Sequence, residues 1–178
     1  RPMLLPRGKG LGGSSNINGL LYVRGQPDDY DTWSQLGATG WGWADVLPYF
    51  RRSEAYLGDG SPFHGCNGEL AVSETQFRDT TNAAVIEGFG QIGVPHNSDF
   101  NGSDQFGAGH YQMTMRAGRR CSAADAFLRP VLNRANLTVL TGVSVQRVLI
   151  ENGATTGAVF TQDGVTRTAL AAREVILS

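Results

Sequence analysis

The chain has 178 residues, 40% of them apolar and 17% charged, which suits a packed globular segment with a real core. Fifteen Lys and Arg stand against sixteen Asp and Glu for a net charge of -1, and this near balance argues against a nucleic-acid or membrane-surface binder. No apolar run approaches the roughly 20 residues of a membrane span, and the sequence opens without a signal-peptide pattern.

Residues 1–25 are glycine-rich, and regular structure is predicted after them. "PDDYDTWSQLG" reads as a short helix with Asp28 as N-cap and Gly37 just past its end. Trp43, Val46, Leu47 and Phe50 recur at helical spacing and predict a buried stripe, with Pro48 placed to kink or restart the helix. Residues 57–69 read as loop. A second helix is expected from Thr81 to Ile92, with Val85, Phe89 and Ile92 on its apolar side and Gly93 ending it. Residues 94–110 form another polar loop, and two irregular stretches of this length predict a lid or an excursion into a second domain.

"GRRCSAADAFLRPVLNRANL" restarts regular structure, with Ser122 and Asp125 spaced as a helix cap and Pro130 interrupting the helix or opening its last turn. From there the pattern is β. "LTVLT", "VSVQRVLIE", "GAVFTQ", "VTRTALAA" and "EVILS" are short and rich in Val, Thr, Leu and Ile. Asn152-Gly153 and Asp163-Gly164 are strong hairpin turns, so a three-stranded antiparallel meander is predicted, followed by one apolar strand. The absence of an initiator Met, the two long loops and that unpartnered last strand suggest the interior of a longer protein.

Candidate chemistry outside the glycines is sparse. Cys66 and Cys121 lie far apart without a C-x-x-C and read as reduced thiols of a cytoplasmic protein. His64, His96 and His110 lack a spaced second ligand pair for a metal and read as loop and surface groups. Trp33, Trp41 and Trp43 read as core packing, and Arg51-Arg52 and Arg119-Arg120 as solvated or ion-paired.

The informative stretch is "RGKGLGGSSNINGLLYVRG", which contains a literal G-x-G-x-x-G at Gly8, Gly10 and Gly13. A dinucleotide fingerprint needs a strand before it and a helix after it. Only Met3-Leu4-Leu5 precedes it, between Pro2 and Pro6, and Ser-Ser-Asn-Ile-Asn-Gly follows. Two readings remain open on residues alone. Gly12-Gly13-Ser14-Ser15 can bring backbone N–H groups against an anionic ligand, or it can be a structural turn.

Gly8-Lys9-x-Leu11-Gly12-Gly13-Ser14-Ser15-x-Ile17-Asn18, with Tyr22, Gly25 and Asp31, resembles the first signature of the glucose–methanol–choline (GMC) flavin oxidoreductases. The resemblance continues through "GATGWGWADVLPYFRRSE", "FHGCNGELAVSE", "GRRCSAADAFLRPVL" and "NLTVLTGVSVQRVLIE" and covers essentially the whole chain. In texture it is nearest the choline-dehydrogenase-like and alcohol-dehydrogenase-like members.

The resemblance implies an α/β fold with α+β character in this segment: part of an FAD-binding Rossmann-like domain with an antiparallel β-meander, plus part of a substrate-binding domain. Residues 1–76, with a lid-like stretch near 40–70, and 119–178 would belong to the flavin domain, and 77–118 to the substrate-side domain. It implies FAD contacts at Gly12, Gly13, Ser14, Asn18, Gly19, Leu20 and Leu21, and at Val145 near the adenine end. Some members carry a histidine bonded to FAD where this chain has Ile17, so the cofactor is expected to be non-covalent. The catalytic histidine pair is expected outside these residues, leaving this segment silent by itself. The intact protein would take a primary alcohol as substrate, pass its hydride to FAD, and hand electrons to oxygen or a quinone-type acceptor. No nucleic acid is expected as partner, and membrane association of the intact protein stays open. The rivals are a nicotinamide dehydrogenase and a non-catalytic flavin-fold remnant.

Overall fold

The computed structural model describes residues 2–178. Mixed α and β elements form two compact units, one ending at Leu132 and a second of Asn133–Ser178.

In the first unit the glycine-rich stretch closes into a single 3-10 turn, Gly13–Asn16, followed by β1 (Leu21–Tyr22). Helix α1 spans Pro27–Gln35. Its N-cap is Gln26 rather than Asp28, because Pro27 fits the first helical position, where no N–H is needed. Asp29 accepts the Gln26 N–H at 2.8 Å. Gly37, at φ 109°, follows the helix as expected. Helix α2 is Trp43–Ser53 and runs through Pro48 without a break. The carbonyl that Pro48 cannot reach belongs to Ala44 in the exposed first turn, where water can satisfy it. The aromatic stripe forms, with Tyr30 packed against Trp33, Trp43 and Phe50, but no α2 residue is fully buried and Trp33 and Trp41 are exposed.

Strand β2 (Glu54–Tyr56) pairs in parallel with β3 (Leu70–Val72), and residues 57–69 make the crossover as irregular chain. Helix α3 is Thr80–Gln91, capped by the Asp79 carboxylate on the Thr81 and Asn82 N–H groups. Its expected apolar residues Val85, Phe89 and Ile92 are exposed. Strand β4 (Gln112–Met113) pairs antiparallel with β1, and β5 (Met115–Arg116) forms a hairpin with β6 (Arg119–Arg120). The Ser122–Asp125 cap is made as expected, the Asp125 N–H donating to Ser122 Oγ at 3.2 Å and the Ser122 N–H to the Asp125 carboxylate at 3.1 Å. What it caps is a π turn, Ala124–Leu128, running into a 3-10 turn, Arg129–Val131, that contains Pro130.

The second unit is the meander: β7 (Val143–Glu151), β8 (Ala154–Gln162) and β9 (Val165–Leu170), each antiparallel to the next, with Val159 and Phe160 buried. "LTVLT" and "EVILS" form no strand. A strand exists only where a neighbour takes its backbone hydrogen bonds, and the described residues offer none to either segment. Ile176 and Leu177 are exposed accordingly. Among the described residues no helix is long and apolar enough to cross a membrane.

Both hairpin turns place consecutive residues in the left-handed region, Asn152 at φ 50° with Gly153 at 79°, and Asp163 at 50° with Gly164 at 76°. Gly153→Ala puts a Cβ into open space but forces alanine to a left-handed φ. It should cost about 1 kcal/mol of stability, read as a lower urea midpoint by circular dichroism. An unchanged midpoint would contradict that turn geometry.

Candidate functional site

The glycine turn is built by close backbone approach. A Cβ on Gly8 would run into the Gly13 carbonyl, so the chain folds back on itself there only because residue 8 is glycine. Gly12 enters the turn at φ 92°. The Gly8 N–H donates to Ser14 Oγ at 3.2 Å, Ser15 Oγ bonds the Gly12 carbonyl, and Asn16 Nδ2 donates to the Leu11 carbonyl at 2.7 Å. The turn thus uses its own polar side chains to fix its shape. The N–H groups of Gly12, Ser14 and Gly19 have no partner among the described residues. The N–H groups of Lys9, Gly10 and Leu11 are likewise unpartnered among the described residues, and the open space around Gly13 and Gly19 lets a ligand come close, whereas Gly12 packs against Asn16 and Ala124.

A second segment clamps this turn from about a hundred residues away. Arg120 donates to the Ser15 carbonyl at 2.9 Å, to the Asn18 carbonyl at 2.9 Å and to Asn18 Oδ1. The Ala123 N–H donates to Ser15 Oγ at 2.9 Å, and Thr114 bonds the Leu20 carbonyl through both its N–H, at 2.8 Å, and its hydroxyl, at 3.2 Å. These contacts hold Leu20 at φ 68°, a left-handed value for a residue with a Cβ. Leu21 and Asn18 are exposed beside it. Gly12, Gly13, Ser14, Asn18, Gly19 and Leu20 therefore belong to one hydrogen-bonded turn that leads into Leu21 of β1. Val145 belongs to the second unit, exposed on β7 opposite Phe160, where the pairing slips by one residue before Arg147. Among the described residues no strand precedes Gly8 and only a short 3-10 turn opens at Gly13, so the G-x-G-x-x-G match there lacks the geometry of a dinucleotide fingerprint.

The first unit also holds a buried polar group that the sequence did not reveal. Glu54, with a side chain 0% exposed, accepts from Arg24 at 2.8 Å, from the Gly65 N–H at 2.8 Å and from His64 Nδ1 at 2.9 Å. His64 Nε2 reaches Asp99 Oδ2 at 3.0 Å, and Gln112 Nε2 donates to Asp99 Oδ1 at 3.0 Å. Asn101 ties the set to β1 by accepting the Arg24 N–H at 2.8 Å and donating to the Tyr22 carbonyl at 2.9 Å. His64 lies in the loop as expected but is not the surface group expected, because its side chain is buried with its ring nitrogens on the buried Glu54 and the partly exposed Asp99. Burial works against its charge, but the hydrogen bonds to Asp99 and Glu54 outweigh it and raise its pKa to about 9. Burial also opposes the Asp99 charge, and the His64 and Gln112 hydrogen bonds override it, so its carboxyl sits below the usual range. Tyr56 stacks on His64 and donates to Glu74 at 2.6 Å, and burial with that bond pushes its phenol up.

This network pins both long loops, residues 57–69 through His64 and Gly65, and 94–110 through Asp99 and Asn101. His96 and His110 stay outside it. Cys66 is exposed, Cys121 partly so, and both are free thiols.

Two outcomes follow. Because His64 has a folded pKa above its ordinary 6.5, its contribution is complete below that value and fades as pH rises through about 9. Thermal midpoints should therefore fall over that interval, and His64→Gln should flatten the fall. A parallel fall in the variant would contradict the assignment. Glu54→Ala strands the Arg24 cation in the interior and should cost about 3–5 kcal/mol, measured by chemical unfolding. A loss under about 1 kcal/mol would mean that Arg24 finds water.

The GMC oxidoreductase family model matches residues 1–178. The chain is 45% identical, over its whole length, to an oxygen-dependent choline dehydrogenase of Rhizobium etli, and 40% identical to the mitochondrial choline dehydrogenase of Homo sapiens. It spans 32% and 30% of those proteins. Among solved structures, pyridoxine 4-oxidase from Mesorbium loti superposes over 92% of this chain and 33% of its own, at TM-score 0.87 and 30% identity. Formate oxidase superposes over 96% of this chain and 31% of its own, at TM-score 0.81 and 28% identity. The chain belongs to the GMC oxidoreductases, an FAD-dependent family.

Proposed function

We propose that this chain is the cofactor-loop portion of an FAD-dependent oxidoreductase acting on the CH–OH group of a primary alcohol. The observation that carries the reading is the clamped turn from Gly12 to Leu20, with the Gly12, Ser14 and Gly19 N–H groups facing no acceptor among the described residues. A pyrophosphate and a flat ring with carbonyl acceptors match that donor set. The Ser14 hydroxyl accepts from Gly8 and keeps its own proton for a ligand oxygen.

When bound, FAD supplies the hydride acceptor for alcohol oxidation. The residues of this chain bind and orient it. Gly13 and Gly19, with open space where a Cβ would stand, admit it to the backbone, Gly12 gives the turn its left-handed entry, Asn18 contributes its side chain, and Leu20 and Leu21 present hydrocarbon. Val145 is assigned to the adenine end, where a strand backbone can read a base edge. Ile17, 55% exposed, offers only hydrocarbon and forms no bond to a flavin, so attachment is non-covalent. On this reading residues 1–76 and 119–178 serve the flavin domain and 77–118 the substrate side. The proton-transfer histidines lie outside this chain. The substrate class is choline-like or another aliphatic or aromatic primary alcohol, with oxygen or a quinone as final acceptor.

The test is a visible spectrum of the intact protein before and after acid precipitation. Bands at about 380 and 450 nm that move to the supernatant are expected. Bands retained in the pellet would overturn non-covalent attachment, and an intact protein that takes up no added FAD would overturn the cofactor reading.

A further inference from the structure

Asn18 is held in one orientation by chemistry that allows no alternative. Its side-chain oxygen receives the Arg120 guanidinium and the Leu20 N–H, the latter at 3.2 Å. Both partners only donate, so the atom facing them must be Oδ1 and the amide cannot be flipped. Nδ2 is thereby turned away from the clamp, and it makes no hydrogen bond to the described residues. Arg120 has no carboxylate partner among the described residues, so all its oxygen acceptors are neutral groups of the turn. An arginine fork that spends its donors on three oxygens of a surface turn fixes that turn's shape, and its charge stays uncompensated.

We propose that Arg120 is a positioning residue for the cofactor, acting through Asn18, whose Nδ2 it presents as a hydrogen-bond donor to an acceptor on the bound flavin. The proposal rests on the FAD reading above. Arg120 also sets a fixed positive charge beside the turn, which favours an anionic ligand there. No other side chain of the described residues contacts Oδ1, so the orientation depends on this one guanidinium and on the turn's own Leu20 N–H.

The experiment uses the intact protein, stripped of FAD and titrated with FAD by flavin fluorescence, with thermal unfolding of each apo-protein and the visible circular dichroism of each loaded one. Asn18→Asp is the discriminating variant. It keeps Oδ1, gains an ion pair with Arg120, and replaces the outward donor with an oxygen. Its apo-protein should melt no lower than wild type, while FAD affinity falls by about tenfold or more. Arg120→Ala should weaken FAD binding at least as much. Arg120→Lys should restore part of the affinity with an altered flavin dichroism band, because an ammonium cannot reach the same three oxygens. Wild-type affinity and dichroism in Asn18→Asp would overturn the proposal, and so would wild-type affinity in Arg120→Ala. If Arg120→Ala does not fold, Asn18→Asp and Arg120→Lys decide. If wild type itself takes up no FAD, the cofactor reading fails, an outcome distinct from wild-type binding that is indifferent to these substitutions.

Discussion

Glu54 carries a carboxylate with no access to water, and a charge so placed must be met by donors on every side. Arg24, His64 and the Gly65 N–H meet it. They come from two stretches: Arg24 from the chain after β1, and His64 with Gly65 from the irregular crossover between β2 and β3. Asp99 then balances His64 from a third stretch. Removing any one partner exposes the others to the desolvation cost of an unpaired ion. The segments are therefore coupled although little regular structure joins them.

This constraint explains why a unit with so small an apolar core can hold long loops in place. Ala55, Ala71, Val72, Phe100, Ala124 and Ala126 are its buried apolar residues, and most of them are small. Arg24, Glu54, His64, Asn101, Gln112 and Ser122 are buried with them. Polar groups this deep stabilise little in net terms, but they specify one arrangement, since each misplaced loop leaves a donor or carboxylate unmatched. Gln112 lies on β4, which pairs with β1, and the chain from β4 through β6 leads to Arg120. The interior network and the clamp on the glycine turn thus share one short path of backbone.

Local signals in the sequence were read well where the chemistry is local. Asn152-Gly153 and Asp163-Gly164 specify hairpins because their φ values demand those residue types, and the Ser122–Asp125 cap spans only three positions. The helix expected over 81–92 forms over 80–91 with Gly93 closing it, although the apolar side read from its period is exposed. The GMC turn was legible because its glycines and serines are consecutive. The buried network was not, because Arg24 and Glu54 are thirty positions apart and nothing in either neighbourhood marks them as partners. His64 read as a surface group since its polar neighbours looked like loop, and loop it is, but loop folded inward onto a charge. "EVILS" misled in the opposite way: its texture is that of a strand, but texture cannot supply the neighbour that a strand requires. Arg120 reads as solvated or ion-paired in the sequence because only its partners, about a hundred residues earlier, reveal its use.

The central claim is that the turn from Gly8 to Leu20 is a cofactor cradle already in shape before FAD arrives. A crystal structure of the intact protein with FAD bound tests it most directly. The account expects the turn from Gly12 to Leu20 against the cofactor, with the backbone of residues 8–20 within about 1 Å of its arrangement here, as for other pre-formed sites. A cofactor bound away from this turn, or a turn rebuilt around it with the Arg120 contacts broken, would contradict the account.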